Sequence, residues 1–169
     1  DEFARVRELI YKRYNKNLQE LLIAQQTLVK LTFPTLPRKA VSIIILTWNA
    51  LEYTKKCILS IQTHTNYPHE VIFVDNASTD GTVAYLRNLV RERPNYQLIE
   101  NHENKGFAAG NNQGVAVASS EFVMLLNNDV LVSDGWLEGL VESLERDEKI
   151  GMVGPITNSI SGRQMVNGV

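Results

Sequence analysis

The sequence lacks the motifs that mark several common enzyme classes. No glycine precedes Gly81, so the turn after the first predicted strand is neither a Gly-x-Gly-x-x-Gly dinucleotide loop nor a phosphate-binding P-loop. His64, His69 and His102 lack the spacing of a zinc site, and no Gly-x-Ser-x-Gly nucleophile elbow occurs. These absences argue against a nicotinamide dehydrogenase, a P-loop kinase and a zinc enzyme of the His-Glu-x-x-His type.

Cysteine, long apolar runs and excess charge are also scarce. Cys57 is the only cysteine, which excludes an internal disulfide and favours a reducing, cytoplasmic location. Its place on an apolar helix stripe predicts a core residue rather than a nucleophile. No apolar run approaches the roughly 20 residues of a membrane span, and no signal peptide opens the chain. A net charge of -2 gives no reason to expect nucleic acid as a partner.

The 169 residues suit one domain preceded by a helix. Residues 1–31 carry apolar residues at helical spacing, and Pro34 and Pro37 mark a linker over residues 32–39. The helix is expected to pack on the domain or on an upstream module. The alternative is a contact with a partner helix in a coiled coil, with Asn17 setting the register. The absence of an initiator Met and the stop at Val169 indicate a piece of a longer protein.

From Ala40 to Val169 the pattern alternates between strands and helices, which predicts an α/β fold with a mostly parallel sheet. Strands are predicted over residues 41–46, 70–74, 96–99, 122–126 and 150–153. Helices are predicted over residues 51–63, 82–91 and 107–118, followed by one capped by Asp134. Asn49 and Glu52 stand at the spacing of a helix cap and its partner. The unbroken apolar run Phe122–Leu126 predicts a strand buried on both faces.

Polar residues follow four of these strands, at the edge where ligands bind in open α/β sheets. The Trp48 indole can pack against the edge of the sheet or stack on a planar base. Asp75 can form a turn or accept a hydrogen bond from the ring N–H of a uracil-type base. A polar loop over residues 101–106 enters a helix in which Gly110 and Gly114 are expected to allow close packing. Any one cluster alone favours a turn, but four at one edge indicate a binding site.

The fourth cluster, Asn127 to Asp129, contains the candidate metal ligand. A carboxylate at the end of a strand can hold a divalent cation, which in turn holds phosphate oxygens. Because phosphate-binding glycines are missing, a metal ion on Asp129 is the remaining way to bind a diphosphate.

Four segments together resemble glycosyltransferase family 2. They are Val-Ser-Ile-Ile-Ile-Leu-Thr-Trp-Asn at 41–49, Val-Asp-Asn-Ala-Ser-Thr-Asp-Gly-Thr at 74–82, Asn-Lys-Gly-Phe-Ala-Ala-Gly-Asn-Asn at 104–112 and Leu-Leu-Asn-Asn-Asp-Val at 125–130. The resemblance implies the Rossmann-like GT-A fold. It also implies transfer of a sugar, with inversion, from a nucleotide-diphosphate sugar to a saccharide or other hydroxyl acceptor. A UDP- or dTDP-sugar and a divalent metal, Mg or Mn, are expected.

The resemblance also implies roles for individual residues. Asp129 matches the last Asp of the family's Asp-x-Asp motif and would bind the metal. The base would be recognised by Asp75. The remaining nucleotide-site residues would be Thr47, Trp48, Asn49, Lys105, Gly106, Asn127 and Asn128, the last two near the ribose or donor sugar.

Two departures from the family pattern shape the functional expectation. Asn127 replaces the first Asp of the motif and brings no charge to the metal. The general base is expected beyond Val169, because the carboxylates after Asp129 resemble a helix cap and a solvated helix face. This chain is therefore expected to be the donor-binding part of a transferase, inactive alone. A GT-A nucleotidyltransferase and a non-catalytic assembly domain are the alternatives.

Overall fold

The computed structural model describes residues 39–155, which form alternating strands and helices. The predicted helix over residues 1–31 and nearly all of the linker lie outside the described residues, as do residues 156–169. The elements, in chain order, are β1 Val41–Thr47, α1 Leu51–His64, β2 His69–Asp75, α2 Thr82–Glu92, β3 Tyr96–Glu100, α3 Gly106–Val117, β4 Phe122–Asn127 and α4 Trp136–Leu144. The first four predicted strands and the predicted helices that fall within residues 39–155 are confirmed, with ends within a residue or two.

The four strands form one parallel sheet in the order β3-β2-β1-β4. β1 pairs with both β2 and β4, so that Thr47 lies opposite Asp75 and Leu46 lies opposite Asn127. Because all four strands run in the same direction, their carboxyl ends meet at one edge of the sheet. The predicted mostly parallel sheet is confirmed.

Helices cover both faces of the sheet. On one face, β1 and β2 contribute Ile43, Ile45 and Phe73 to a core that also contains residues of α1, α2 and α4. On the other face, Ile44, Val74 and their neighbours form a smaller cluster against which α3 packs. The β-branched residues of β1 are thus buried from both sides, as a central parallel strand requires. No helix within residues 39–155 is long and apolar enough to cross a membrane.

The prediction that β4 is buried on both faces is wrong. Val123 and Leu125 are 43% and 48% exposed, whereas Leu126 contributes to the larger core. Within residues 39–155, β4 is the last strand of the sheet, and α3 packs on β1 and β2. An apolar run therefore identified the strand correctly, but the order of strands decided how much of it is covered.

Two further local predictions are wrong. No strand forms over residues 150–153, which have no regular secondary structure. Asp134 does not cap α4: Gly135 occupies the cap position, and the Asp134 carboxylate lies 2.6 Å from Nδ1 of His64. The side chain of Asp134 is therefore used to join the end of α1 to the loop before α4.

The predicted close approach of α3 to the sheet is confirmed. A Cβ atom added at Gly114 would lie 2.5 Å from Cγ2 of Ile44, and one at Gly110 would overlap Cδ1 of Leu46. The missing side chains allow the helix backbone to lie directly on β1. This contact fixes α3, and with it the loop that precedes α3 at the carboxyl edge.

We expect Gly114→Ala to destabilise the fold. Overpacking against Ile44 costs about 1–3 kcal/mol, and the higher helix propensity of alanine returns about 1 kcal/mol, so the free energy of unfolding should fall by up to about 2 kcal/mol. Gly139, in α4, is the matched control, because a Cβ there meets no atom within 4 Å. Gly139→Ala should stabilise by about 0.5–1 kcal/mol. Urea unfolding of both variants checks this, and equal midpoints would contradict the close packing of α3.

Candidate functional site

The parallel register collects the predicted site residues of three strands at one edge. Thr47 ends β1, Asp75 ends β2 and Asn127 ends β4. Thr47 pairs with Asp75, and Asn127 pairs with Leu46, the residue before Thr47. Trp48 follows directly and is 59% exposed, so its indole is available to a ligand. We call this set of strand ends and their turns the carboxyl edge.

Asp75 is a buried carboxylate that organises the turn after β2. It has no exposed surface. Its Oδ1 accepts hydrogen bonds from the Thr47 hydroxyl at 2.8 Å and the Ser78 hydroxyl at 2.6 Å, and its Oδ2 accepts from the Ser78 backbone N–H at 2.8 Å. Three hydrogen bonds compensate the burial of the charge. A base can reach this carboxylate only if the turn opens locally.

Backbone strain is concentrated in the turns after β1 and β2. Among the described residues, the non-glycine residues with positive φ are Asn49, Ala50 and Ala77, at 60°, 61° and 60°. This conformation costs about 1–2 kcal/mol for an ordinary residue. Such strain persists where surrounding contacts fix it, and it is frequent at functional sites.

Asn49 joins these two turns and does not cap α1, so that prediction is wrong. Its Oδ1 accepts the Thr79 N–H at 2.8 Å, and its own N–H donates to the Ser78 hydroxyl at 2.7 Å. Ala50, in the left-handed conformation, occupies the cap position of α1 instead. The left-handed backbone at Asn49 and Ala50 directs the Asn49 side chain to the neighbouring turn.

A single carboxylate, Asp80, caps two helices in place of the predicted cap. Its Oδ2 accepts the Leu51 N–H of α1 at 2.9 Å, and its Oδ1 accepts the Thr82 N–H of α2 at 3.1 Å. Desolvation raises the pKa of Asp80, but the hydrogen bonds from Thr82 and Leu51 outweigh it, so the pKa lies below its ordinary value. The cap ties α1 to the turn after β2, a contact between positions 29 residues apart.

A network of side-chain amides positions the loop before α3. Asn101 bonds Asn76 at 2.9 Å and exchanges two hydrogen bonds with Gln113. Asn76 in turn donates to Asn104 and to the carbonyl of Gly106. The network holds the loop at Lys105 and Gly106. Gly106 is the first residue of α3 and has a positive φ of 79°. Sequence patterns identified the polar loop but gave no signal for these pairings.

The loop containing Lys105 borders a cleft of about 320 Å³, lined by Glu100, Asn101, His102, Glu103 and Lys105. This cleft lies at the end of β3, at the opposite side of the sheet from β4. With a strand spacing of about 4.8 Å, β3 and β4 are about 14 Å apart. The structure therefore brings Thr47, Asp75 and Asn127 together, but it places Lys105 at the far end of the same edge.

The Asn127–Asp129 turn presents the only acidic group of the Asn-Asn-Asp cluster to solvent. Asn127 and Asp129 are exposed and Asn128 is half-buried. The Asn128 amide donates to the Thr54 hydroxyl of α1 at 3.0 Å, and the Cys57 thiol donates to the Asn127 carbonyl at 3.6 Å. Asp129 is thus free to face a ligand while its neighbours anchor the turn.

Cys57 lies directly beneath this turn and is a core residue, as predicted. It is fully buried on α1. Burial, with a smaller contribution from the nearby Asp129 carboxylate, raises the pKa of the Cys57 thiol to about 11. A thiol that stays protonated at neutral pH is a poor nucleophile. Cys57 therefore supports the turn without taking part in chemistry.

The donor set at Asp129 fits a cation that a ligand helps to hold. Within residues 39–155, no group of three or more His, Cys, Asp or Glu side chains could hold a metal ion. Mg²⁺ needs no such group, because proteins usually bind it through one or two carboxylates, several waters and substrate phosphates. The exposed Asp129 carboxylate and the amide oxygens beside it match that mode of binding.

Comparisons with known proteins agree with this architecture. A model of glycosyl transferase family 2 matches residues 42–164. An uncharacterized glycosyltransferase of Haemophilus influenzae is 29% identical over 114 residues, which are 68% of this chain and 35% of that protein.

Two solved structures resemble the fold. The mannosyltransferase PcManGT of Pyrobaculum calidifontis, in complex with GDP-Man and Mn²⁺, has a TM-score of 0.58 and 27% identity over 74% of this chain and 39% of its own. S. aureus TarS in complex with UDP-GlcNAc has a TM-score of 0.56 at 24% identity, over 63% of this chain and 31% of its own, a likeness of fold alone.

The parallel sheet with helices on both faces and a polar carboxyl edge is the GT-A fold. The chain belongs to glycosyl transferase family 2. The resemblance of the four sequence segments is thereby confirmed. The chain spans about a third of the length of the Haemophilus relative.

We expect Asp80→Ala to destabilise the fold by about 1–2 kcal/mol, because two helix caps are lost at once. The pKa of Asp80 is lowered on folding, so its contribution is present above the ordinary titration range of an aspartate and is lost as pH falls through the lowered value. Urea unfolding of both proteins should therefore differ at pH 7 and converge in acid.

Asp147→Ala is the control for this experiment, because the Asp147 carboxylate accepts one exposed backbone hydrogen bond and caps none of the helices of residues 39–155. It should change the free energy of unfolding by less than about 0.5 kcal/mol. Equal effects of the two substitutions would show that Asp80 does not act as a double cap.

Proposed function

We propose that this chain forms the donor-binding part of an inverting glycosyltransferase, which transfers a sugar from a nucleotide-diphosphate sugar to an acceptor hydroxyl. The observation that carries the proposal is the position of Asp129. Its exposed carboxylate follows β4, and the next strand of the sheet ends in Thr47, which holds the buried Asp75. Membership of glycosyl transferase family 2 supports the reaction class.

In this proposal the nucleotide lies across the ends of β1 and β2. Trp48 offers an exposed indole on which a base can stack. Once the turn after β2 opens locally, Asp75 can accept a hydrogen bond from any base that presents a ring N–H, since its Oδ2 accepts only one hydrogen bond from the protein. Uracil and guanine both present such a group. Asp75 would therefore suit the guanine of the GDP-Man in the PcManGT complex and the uracil of the UDP-GlcNAc in the TarS complex. Asn49, Lys105 and Gly106 complete the nucleotide site.

The diphosphate lies at the end of β4. Asp129 would hold a divalent cation, Mg²⁺ or Mn²⁺, and Mn²⁺ is present in the PcManGT complex. A bound cation supplies charge neutralisation for the leaving diphosphate. Asn127 and Asn128 carry no charge, and we assign them to hydroxyl groups of the ribose or the donor sugar. The single carboxylate makes binding of the cation depend on the nucleotide.

Transfer also needs a general base that takes the proton of the acceptor hydroxyl. We assign that base to none of residues 39–155. Asp134 is paired with His64, and Glu138 is half-buried in the first turn of α4. Glu142, Glu145, Asp147 and Glu148 lie on or beyond the exposed side of α4. The acceptor is a saccharide or another hydroxyl compound. The free, buried thiol of Cys57 fits a reducing compartment, and we place the protein in the cytoplasm.

A fluorescence titration tests the donor site. UDP and GDP should each be added with and without Mn²⁺ to the full chain, with Trp48 as the reporter and Trp48→Phe as the assignment control. We expect binding that requires Mn²⁺ and that Asp129→Asn weakens by about tenfold or more, since loss of a metal-site partner typically costs 10–100-fold.

Glu142→Gln removes an exposed carboxylate of α4 and should leave the affinity unchanged. Equal binding with and without Mn²⁺, or equal effects of the two substitutions, would contradict the metal role of Asp129. Absence of any nucleotide binding would support a non-catalytic domain instead. Release of pyrophosphate from a nucleoside triphosphate would support a nucleotidyltransferase.

A further inference from the structure

The loop between β4 and α4 lies along one side of α1 and is attached to it at regular intervals. Side chains of α1 and of the residue after it contact the loop, in order, through Thr54 to Asn128, Cys57 to Asn127, Ser60 to Val132, His64 to Asp134 and Thr65 to Trp136. The first two contacts converge on the turn at Asn127 and Asn128, and from Ser60 onwards the contacts advance together along both segments. Thr54, Cys57, Ser60 and His64 are three or four residues apart, the spacing of one helix side.

The lengths of the two segments agree with this arrangement. From Thr54 to His64 the helix advances about 15 Å, and six extended residues from Asn128 to Asp134 reach about 20 Å at most. A loop that begins with a turn is therefore long enough to follow this length of the helix. The register of the loop on α1 decides where Asp129 stands at the carboxyl edge.

Thr54 makes the first of these contacts, and its hydrogen bonds have a defined direction. The side chain is fully buried. Its hydroxyl donates its single proton to the carbonyl of Ala50 at 3.3 Å, so towards Asn128 it acts as an acceptor. The NH₂ group of the Asn128 amide must then face α1. The opposite orientation of the amide would require Thr54 to withdraw its proton from Ala50.

This direction leaves the amide oxygen of Asn128 on the side away from Thr54. Among residues 39–155, no hydrogen bond is made to that oxygen. It is therefore available to accept a hydrogen bond from a ligand, in the turn that carries Asp129. A threonine on α1 thus determines which atom of a loop residue 74 positions away is presented at the site.

We propose that Thr54 is a positioning residue, which acts through the Asn128 amide and fixes the turn that carries Asp129. The proposal rests on the function assigned above, and it adds a residue to that site. Thr54 itself is buried and touches no ligand; its effect on donor binding passes through Asn128. The other loop contacts, at Ser60 and His64, set the register further from the metal position.

Thr54→Val removes the hydroxyl with little change of shape and is the main test. The side-chain NH₂ signals of Asn128, assigned by their loss in Asn128→Ala, should shift in the amide NMR spectrum of the ligand-free chain. Affinity for UDP or GDP with Mn²⁺ should fall about five- to tenfold, the value of one hydrogen bond. Thr54→Ser keeps the hydroxyl and should restore both the signals and the affinity.

Thr63→Val is the matched control. Thr63 lies on the same helix and donates the same kind of hydrogen bond to the carbonyl four residues before it, but its exposed side chain makes no hydrogen bond to the loop between β4 and α4. It should change neither the Asn128 signals nor the affinity. Melting temperatures of all variants show whether any loss reflects unfolding.

A double-mutant cycle separates positioning from general stability. If Thr54 acts through Asn128, Thr54→Val should change the affinity little in a protein that already carries Asn128→Ala. Additive losses, or Asn128 signals unchanged by Thr54→Val, would overturn the proposal. If the wild-type chain binds no nucleotide, the proposed function fails, but the NMR comparison still decides whether Thr54 orients Asn128.

Discussion

The parallel pairing of β1 with both β2 and β4 is the constraint on which the carboxyl edge depends. It places Thr47 opposite Asp75 and Leu46 opposite Asn127, so the polar turns of three strands begin at the same level of the sheet. A slip of one residue would turn every side chain of a strand to the opposite face. The buried β-branched residues of β1 therefore fix the site as well as the core.

At the carboxyl edge, hydrogen bonds join the turns that follow the strands to one another. Asp75 and Asp80 use their carboxylates to organise the turn after β2, and Asp80 also caps α1. These contacts accompany the left-handed backbone at Asn49 and Ala77. The Asn127–Asp129 turn is held in the same way, by side chains of α1. An edge built by mutual contacts places Asp129 without burying it, which is what a cation held jointly with a ligand requires.

Local sequence patterns predicted the elements, because β-branched runs and helical spacing depend on neighbouring residues. They also predicted Cys57 as a core residue and the close packing at Gly110 and Gly114. They failed where contacts between residues far apart in the sequence determine burial or capping. The exposure of Leu125 follows from strand order, and the capping of α1 by Asp80 joins positions 29 residues apart. The contact between Thr54 and Asn128 likewise had no local signal. The roles of the site residues remain predictions.

The most direct test of the central claim locates a paramagnetic cation on the chain. A small amount of Mn²⁺, added with UDP or GDP, broadens the amide NMR signals of nearby residues. The account predicts selective loss of signals at the carboxyl edge, around Trp48 and Asp129. The acidic residues Glu145, Asp147 and Glu148, which border a separate cleft of about 620 Å³, are the competing location. Loss of signals there, with the carboxyl edge unaffected, would contradict a metal and nucleotide site at Asp129.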